Sequence, residues 1–317
     1  MYAGQNEMAE IIEEPCERSP FDFVTSDEHR FVFDEGDALV IECAAELTPF
    51  DGLLLAGFVE VESDDVGGDD ATDLTGARIW PGAGVLAHFV AANPEITRGR
   101  AVVELGAGAG VCGLASARRA GGGACRACVL TDGSTACVEL CERNIGRNQH
   151  LWVDSVPSTA VTAALLRWGE LDTAERLAGR MHLEVGASPS LVLASEVIYD
   201  HAQIEPFFAT ARSLLLPSSA REGASSAPAS IPQEPASISA SALVHQVAPT
   251  LVLSLIPRCD YNTVEQDVHS AAHGAGFTLA HRIWGKVALQ QFIRDAEMVA
   301  DAVQRNASIL VFHLNIE

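Results

Sequence analysis

The sequence predicts an α/β fold built on a mostly parallel sheet with helices on both faces. Three observations predict it. Short apolar runs suited to buried parallel strands, AVVEL (101–105), CVLTD (128–132), LVLASEVIY (191–199) and TLVLSLI (250–256), recur between segments of helical texture. The first run feeds a glycine-rich turn, GAGAG (106–110), which leads into VCGLASARRA. Glycines at such a strand-to-helix turn let the backbone bend tightly and approach a ligand, with helix amides aimed at it. Finally, a carboxylate, Asp132, closes the next strand, where it can accept hydrogen bonds from ribose hydroxyls.

In chain order, residues 1–20 are polar and acidic and are expected to be disordered. Residues 21–74 form an extension in which RFVF and ALVIEC flank the turn signal DEGD, the pattern of a β-hairpin. VESDDVGGDDATD (61–73) is an acidic surface loop. From residue 75 to 317 the strand–helix alternation takes over. RIWPGAGVLAHFVAANP (78–94) is a helix opening near Pro81, a residue suited to a first turn, and ending before Pro94. STACVELCERNIGRN (134–148) is a helix with Ser134 as N-cap. A less regular strand falls within 155–167, and a helix runs to about Leu215. PSSAREGASSAPASIPQEPASISASA (217–242), rich in Ser, Ala and Pro, is a disordered insertion that has little to bury. A helix over 261–275 and two closing strands, GFTLAHRIW and ASILVFHLN, complete the chain.

Composition limits function. The 317 residues are 48% hydrophobic, enough for a sizeable core, and carry a formal net charge of −23. That balance argues against nucleic acid, which needs a basic footprint, and suits a basic protein segment or a cation. The N-terminus has no signal-peptide pattern and no long charge-free apolar run occurs, so no membrane association is expected. The eight scattered cysteines suit reduced thiols in the cytoplasm, with the nucleus as the alternative compartment.

The glycine turn has two readings. From Gly108, GAGVCG is a GxGxxG that suits a nicotinamide dinucleotide. From Gly106, ELGAGAG places Gly106, Gly108 and Gly110 after an acidic residue, Glu104, which suits S-adenosylmethionine. A carboxylate is awkward beside a pyrophosphate but useful beside the cationic amino end of that cofactor. Asp132 supports either ligand, since both contain ribose.

TGARIWPGAGVLAHFV, VVELGAGAGVCGL, VLTDGS, LLRWG and ASEVIYD occur in an order that resembles methyltransferase family 16. The resemblance covers residues 75–210 well and 250–317 loosely. It implies a Rossmann-like, seven-stranded class I methyltransferase sheet whose last strand is antiparallel, with the N-terminal hairpin packed near the active-site rim. It also implies S-adenosyl-L-methionine as cofactor and a protein side chain, most often lysine, as methyl acceptor. By the same resemblance Trp80 borders the cofactor, Trp168 lies beside the adenine, and Ser195 and Ala194 line the site. The family's acidic-x-x-aromatic signature falls on Glu196–Tyr199. Glu196 and Tyr199 are the expected catalytic pair, gripping and orienting the amine while its proton leaves to water. Family members usually have Asp where Glu196 stands.

The expected partner is a protein carrying the target lysine, and the expected state a monomer. Rival readings are a small-molecule amine or protein-histidine methyltransferase, a dinucleotide-dependent oxidoreductase, and a catalytically silent cofactor-binding module. No metal is expected. Cys125 and Cys128 enter a buried strand and Cys137 and Cys141 lie on the next helix, where thiols act as apolar fillers. His269 and His273 share a helix face without an acidic partner at ligand spacing, and solvated histidines are expected there.

Overall fold

The computed structural model describes residues 26–33, 38–44, 75–118, 124–153, 159–216, 248–257 and 261–316. Its elements are β1 (Ser26–Val32), β2 (Ala38–Ala44), α1 (Pro81–Ala92), β3 (Ala101–Leu105), α2 (Val111–Ala117), β4 (Ala127–Asp132), α3 (Thr135–Asn148) and β5 (Ala160–Leu165). There follow α4 (Leu171–Val185), β6 (Pro189–Ser195), α5 (Ile204–Leu215), β7 (Thr250–Leu255), α6 (Tyr261–Gly274), β8 (Phe277–Trp284), α7 (Lys286–Leu289), α8 (Ala296–Gln304) and β9 (Ser308–Leu314). The expected disordered N-terminus, acidic loop and insertion lie outside the described residues.

Seven strands form one sheet in the order β5-β4-β3-β6-β7-β9-β8. The pairs β3–β4, β3–β6, β4–β5 and β6–β7 are parallel, while β9 runs antiparallel to both β7 and β8. The last strand of the chain is thus the reversed one, as the resemblance implies. The interior strands β3 and β7 are buried at every position, because a strand covered by helices on both faces has no side to expose to water. One face carries α1, α2, α3 and the β1–β2 hairpin over a core that includes Leu86, Phe89, Leu114 and Leu140. The opposite face carries α4, α5 and α6 over Phe207, Phe208, Val268 and Phe277.

The hairpin forms where expected, with Phe31, Leu39 and Ile41 turned into the first core. Cys43, at its far end, lies against the backbone of Ile79, and burial pushes its thiol up to about 11.

Two boundaries and one cap differ from expectation. The strand expected to run to Tyr199 stops at Ser195, because Glu196 adopts a left-handed φ of 49° and turns the chain out of the sheet. Helix α2 ends at Ala117 rather than continuing through ARRA. Ser134 occupies the N-cap of α3, but its hydroxyl makes no capping bond; Asp132 Oδ1 instead accepts from the Ser134 amide at 3.0 Å. The helices α7 and α8 were not anticipated, although α8 carries a legible start: the Asp295 side chain accepts from the amides of Glu297 and Met298.

Candidate active site

Strands β3 and β6 are neighbours, and the chain leaves them in opposite directions along the sheet. Ligands of open α/β sheets bind at such a switch point, beyond the carboxyl ends of the strands. There lies a cleft of about 500 Å³, within the range for a small-molecule cofactor. Its walls come from the loops after β3, β4, β5 and β6 and from the turn ahead of α1.

The glycine turn forms the floor. Gly106, Gly108 and Gly110 all have positive φ, 65°, 53° and 81°. At Gly108 a Cβ would stand 2.4 Å from the carbonyl oxygen of Gly76, a backbone atom with nowhere to go. Only glycine fits both that conformation and that contact. Asp132 holds the turn from the side: its Oδ2 accepts from the Gly108 amide at 2.9 Å while Oδ1 takes the Ser134 amide. A carboxylate has about four lone-pair sites, so acceptor capacity remains toward the cleft.

Two indoles line the cleft. Trp80 is anchored by its Nε1, which donates to the Thr75 carbonyl at 3.0 Å, and Arg78 sits 5.5 Å from its ring. Trp168 lies over Gly106, within 3.1 Å of where a Cβ would be, and packs edge-on against Phe207 at 5.3 Å. Ser195 lines the cleft at the end of β6, and Tyr199, 57% exposed, stands at its mouth.

Glu196 is the most constrained residue of the site. Its amide donates to the Ser254 carbonyl at 2.9 Å, and its Oε2 accepts from the Gly82 amide at 2.5 Å. Gly82 is the second residue of α1, so the carboxylate is seated on a helix N-terminus, where the partial positive charge favours an anion. The left-handed backbone of a non-glycine residue is a strained state, and such strain gathers at functional sites.

The structure moves three expected cofactor contacts elsewhere. Glu104 does not face the cleft. It is buried behind the glycine turn, where its Oε2 accepts from the Gly113 amide in the first turn of α2 at 2.7 Å. The reason is the strand register: Glu104 lies on the side of β3 that packs under α2, and an unpaired helix amide draws its carboxyl inward. Gly110 likewise sits outside the cleft wall, packed against Leu130. Ala194 is wholly buried and also does not reach the cavity.

Burial raises the Glu104 carboxyl from 4.5 to about 7, against the lowering effect of the Gly113 and Cys112 hydrogen bonds. A folded-state value above the unfolded one means that the native protein binds the extra proton. Stability therefore falls as pH rises from about 4.5 through about 7. Glu104→Gln is expected to remove this slope, leaving the variant more stable at pH 8 by about 3 kcal/mol and little changed at pH 4. Urea denaturation at the two pH values checks it; an equal difference at both contradicts the account.

Sequence reasoning missed Gly76, Gly82, Arg78, Arg167 and Cys137, all at or beside the cleft. The doublet spacing of Gly76 and Gly82 around RIWP was the available signal. The cysteines of the described residues are buried and form no disulfide among themselves, and among the described residues no group of three or more His, Cys, Asp or Glu is placed to hold a metal. His269 corrects an expectation: its Nε2 lies 3.5 Å from Glu265 Oε1, one helical turn away, and its ring packs against Phe312.

Part of the chain is similar in sequence to known proteins. It is 36% identical over 98 residues to a calmodulin-lysine N-methyltransferase of Arabidopsis thaliana, covering 30% of this chain and 29% of that protein. It is 32% identical over 97 residues to methyltransferase-like protein 22 of Homo sapiens, covering 31% and 21%. It is 28% identical over 166 residues to the protein N-terminal and lysine N-methyltransferase EFM7 of Cryptococcus neoformans, covering 51% and 50%. The matches thus span half or less of these relatives' own lengths. Residues 67–221, the segment that supplies every wall of the cleft described above, match the family model described as lysine methyltransferase.

Proposed function

We propose that the chain transfers a methyl group from S-adenosylmethionine to the side-chain amine of a lysine in a protein substrate. The observation that carries the cofactor assignment is the carboxyl of Glu104 behind the glycine turn. In a dinucleotide site the first-turn amides of the following helix receive the pyrophosphate. Here the Gly113 amide is already taken by a carboxyl of the protein itself, and a second anion has no seat. The remaining groups suit an adenosine-bearing cation: Asp132 as acceptor for a ribose diol, Trp168 as a flat apolar wall for a base, and Trp80 at the other end. Bound there, S-adenosylmethionine supplies an already activated methyl.

The protein's task is then to present a neutral amine in line with that methyl, which is chiefly a matter of positioning. A lysine amine has a reference pKa of about 10.4 and must shed its proton before attack. Glu196, fixed on the α1 N-terminus, and Tyr199, at the mouth, grip and orient the amine while the proton passes to water. Tyr199→Ala is expected to lower turnover at least about 10-fold and leave cofactor affinity unchanged, as read by steady-state rates and calorimetry; a parallel loss of both would place Tyr199 in cofactor binding instead.

The net charge of −23 favours a basic segment around the target lysine. Buried cysteines without a disulfide among the described residues accord with a reducing compartment, the cytoplasm or nucleus, and we take the working form to be a monomer that engages neither nucleic acid nor membrane. Transfer of a radiolabelled methyl into proteins of a lysate, followed by mass spectrometry of the labelled band, tests the assignment. Label on lysine is the expected result. Label on histidine, or only on small molecules, would overturn the acceptor.

A further inference from the structure

Helix α3 carries one buried stripe of polar and thiol side chains at helical spacing: Cys137, Cys141, Asn144 and Asn148, each no more than 1% exposed. A buried asparagine is costly unless its hydrogen bonds are made, so each bond it makes is informative. The first half of the stripe touches the cofactor loop. Cys141 Sγ donates to the Gly108 carbonyl at 3.1 Å, and Asn144 Nδ2 donates to the Ala109 carbonyl at 3.0 Å. The second half holds the hairpin. Asn144 accepts the Glu42 amide on Oδ1 at 2.8 Å and donates to the Glu42 carbonyl at 3.0 Å. Asn148 does the same for Val40, at 2.8 Å each way.

Val40 and Glu42 point their backbone away from β1, and this unpaired edge of β2 is what the two amides cover. One asparagine on each alternate residue stands in for a neighbouring strand. Asn144 is the member common to both halves. Its two N–H groups are divided between the glycine turn and the hairpin, and its oxygen is spent on the hairpin, so neither side can move without breaking a bond to the other.

We propose that Asn144 is a positioning residue that couples the docking of the N-terminal hairpin to the shape of the cofactor loop, so that cofactor binding tightens the hairpin and the docked hairpin raises cofactor affinity. This rests on the reading of the cleft as an S-adenosylmethionine site. Linkage requires the effect to run both ways. Asn148 is the internal control, because it holds Val40 as Asn144 holds Glu42 while its hydrogen bonds go to Val40 and Asn144 and not to the loop.

The test uses the full chain and S-adenosylhomocysteine as probe, with calorimetry for affinity and hydrogen exchange for the amides of Val40 and Glu42. In the wild type, saturating probe is expected to slow exchange at Glu42 several-fold. Asn144→Ala is expected to weaken the probe about 10-fold and abolish that protection, whereas Asn148→Ala speeds exchange at Val40 and leaves affinity within about 2-fold. Wild-type binding without any change in exchange at Glu42 would overturn the coupling, and so would equal affinity losses in the two variants. Absence of binding to the wild type would overturn the cofactor reading itself, and the coupling with it. The wild-type exchange measurement stands even where Asn144→Ala does not fold.

Discussion

Gly82→Ala is expected to lower methyl-transfer turnover about 100-fold, or about 2.7 kcal/mol of transition-state stabilisation, while leaving cofactor affinity intact. A Cβ at this position would stand 2.7 Å from Glu196 Cγ, 3.0 Å from its Oε2 and 3.1 Å from Ser254 Oγ. All three neighbours are buried, and Glu196 already sits at a left-handed φ, so its carboxylate must leave the α1 N-terminus. The substitution separates catalysis from folding. Alanine is preferred over glycine within a helix by about 1 kcal/mol, which offsets part of the steric cost to stability. Parallel measurement of kcat, of the dissociation constant for S-adenosylhomocysteine and of the thermal midpoint reads the three effects apart. A variant with wild-type kcat would remove Glu196 from the catalytic account.

Asp132→Ala is expected to weaken S-adenosylhomocysteine binding by at least about 100-fold, with little turnover at any accessible cofactor concentration. Two losses act together. The acceptor proposed for the ribose diol disappears, and the Gly108 amide loses the partner that holds the glycine turn in place. Removing a charged hydrogen-bond partner costs about 1.5–3 kcal/mol even before the loop relaxes. Asp132→Asn keeps an acceptor oxygen for one of these bonds, and it should fall between wild type and alanine. Equal affinity in all three proteins would remove Asp132 from the site.

Much of the fold was legible because buried parallel strands leave a plain trace. AVVEL and TLVLSL read as strands since they are mostly apolar, as helices covering both faces require, and their single charged residue finds a partner. That exception, Glu104, is also where the reading failed. Sequence shows that a carboxylate ends the strand beside the glycines, but not which face of the sheet it enters; one position of strand register decides between the cleft and the core. The residues that converge on the cleft come from four loops; Asp132 was legible from its place at a strand end, and Trp80, Trp168, Glu196 and Tyr199 only through their resemblance to a family. Gly82 was legible only as a glycine beside RIWP, and Asn144 not at all. Their roles arise from contacts across 114 and 102 residues of sequence, with Glu196 and Glu42, which no local pattern records.

The displaced Glu104 sharpens the choice of cofactor rather than weakening it. A GxGxxG turn that feeds a helix normally offers free amides to a pyrophosphate, and here a first-turn amide is held by a carboxyl with a value near 7. The most direct test is therefore calorimetric titration of the same protein preparation with S-adenosylmethionine and with NAD(H). The account predicts stoichiometric binding of S-adenosylmethionine, lost in Asp132→Ala, and no heat from NAD(H). Saturable binding of NAD(H) without binding of S-adenosylmethionine would contradict it.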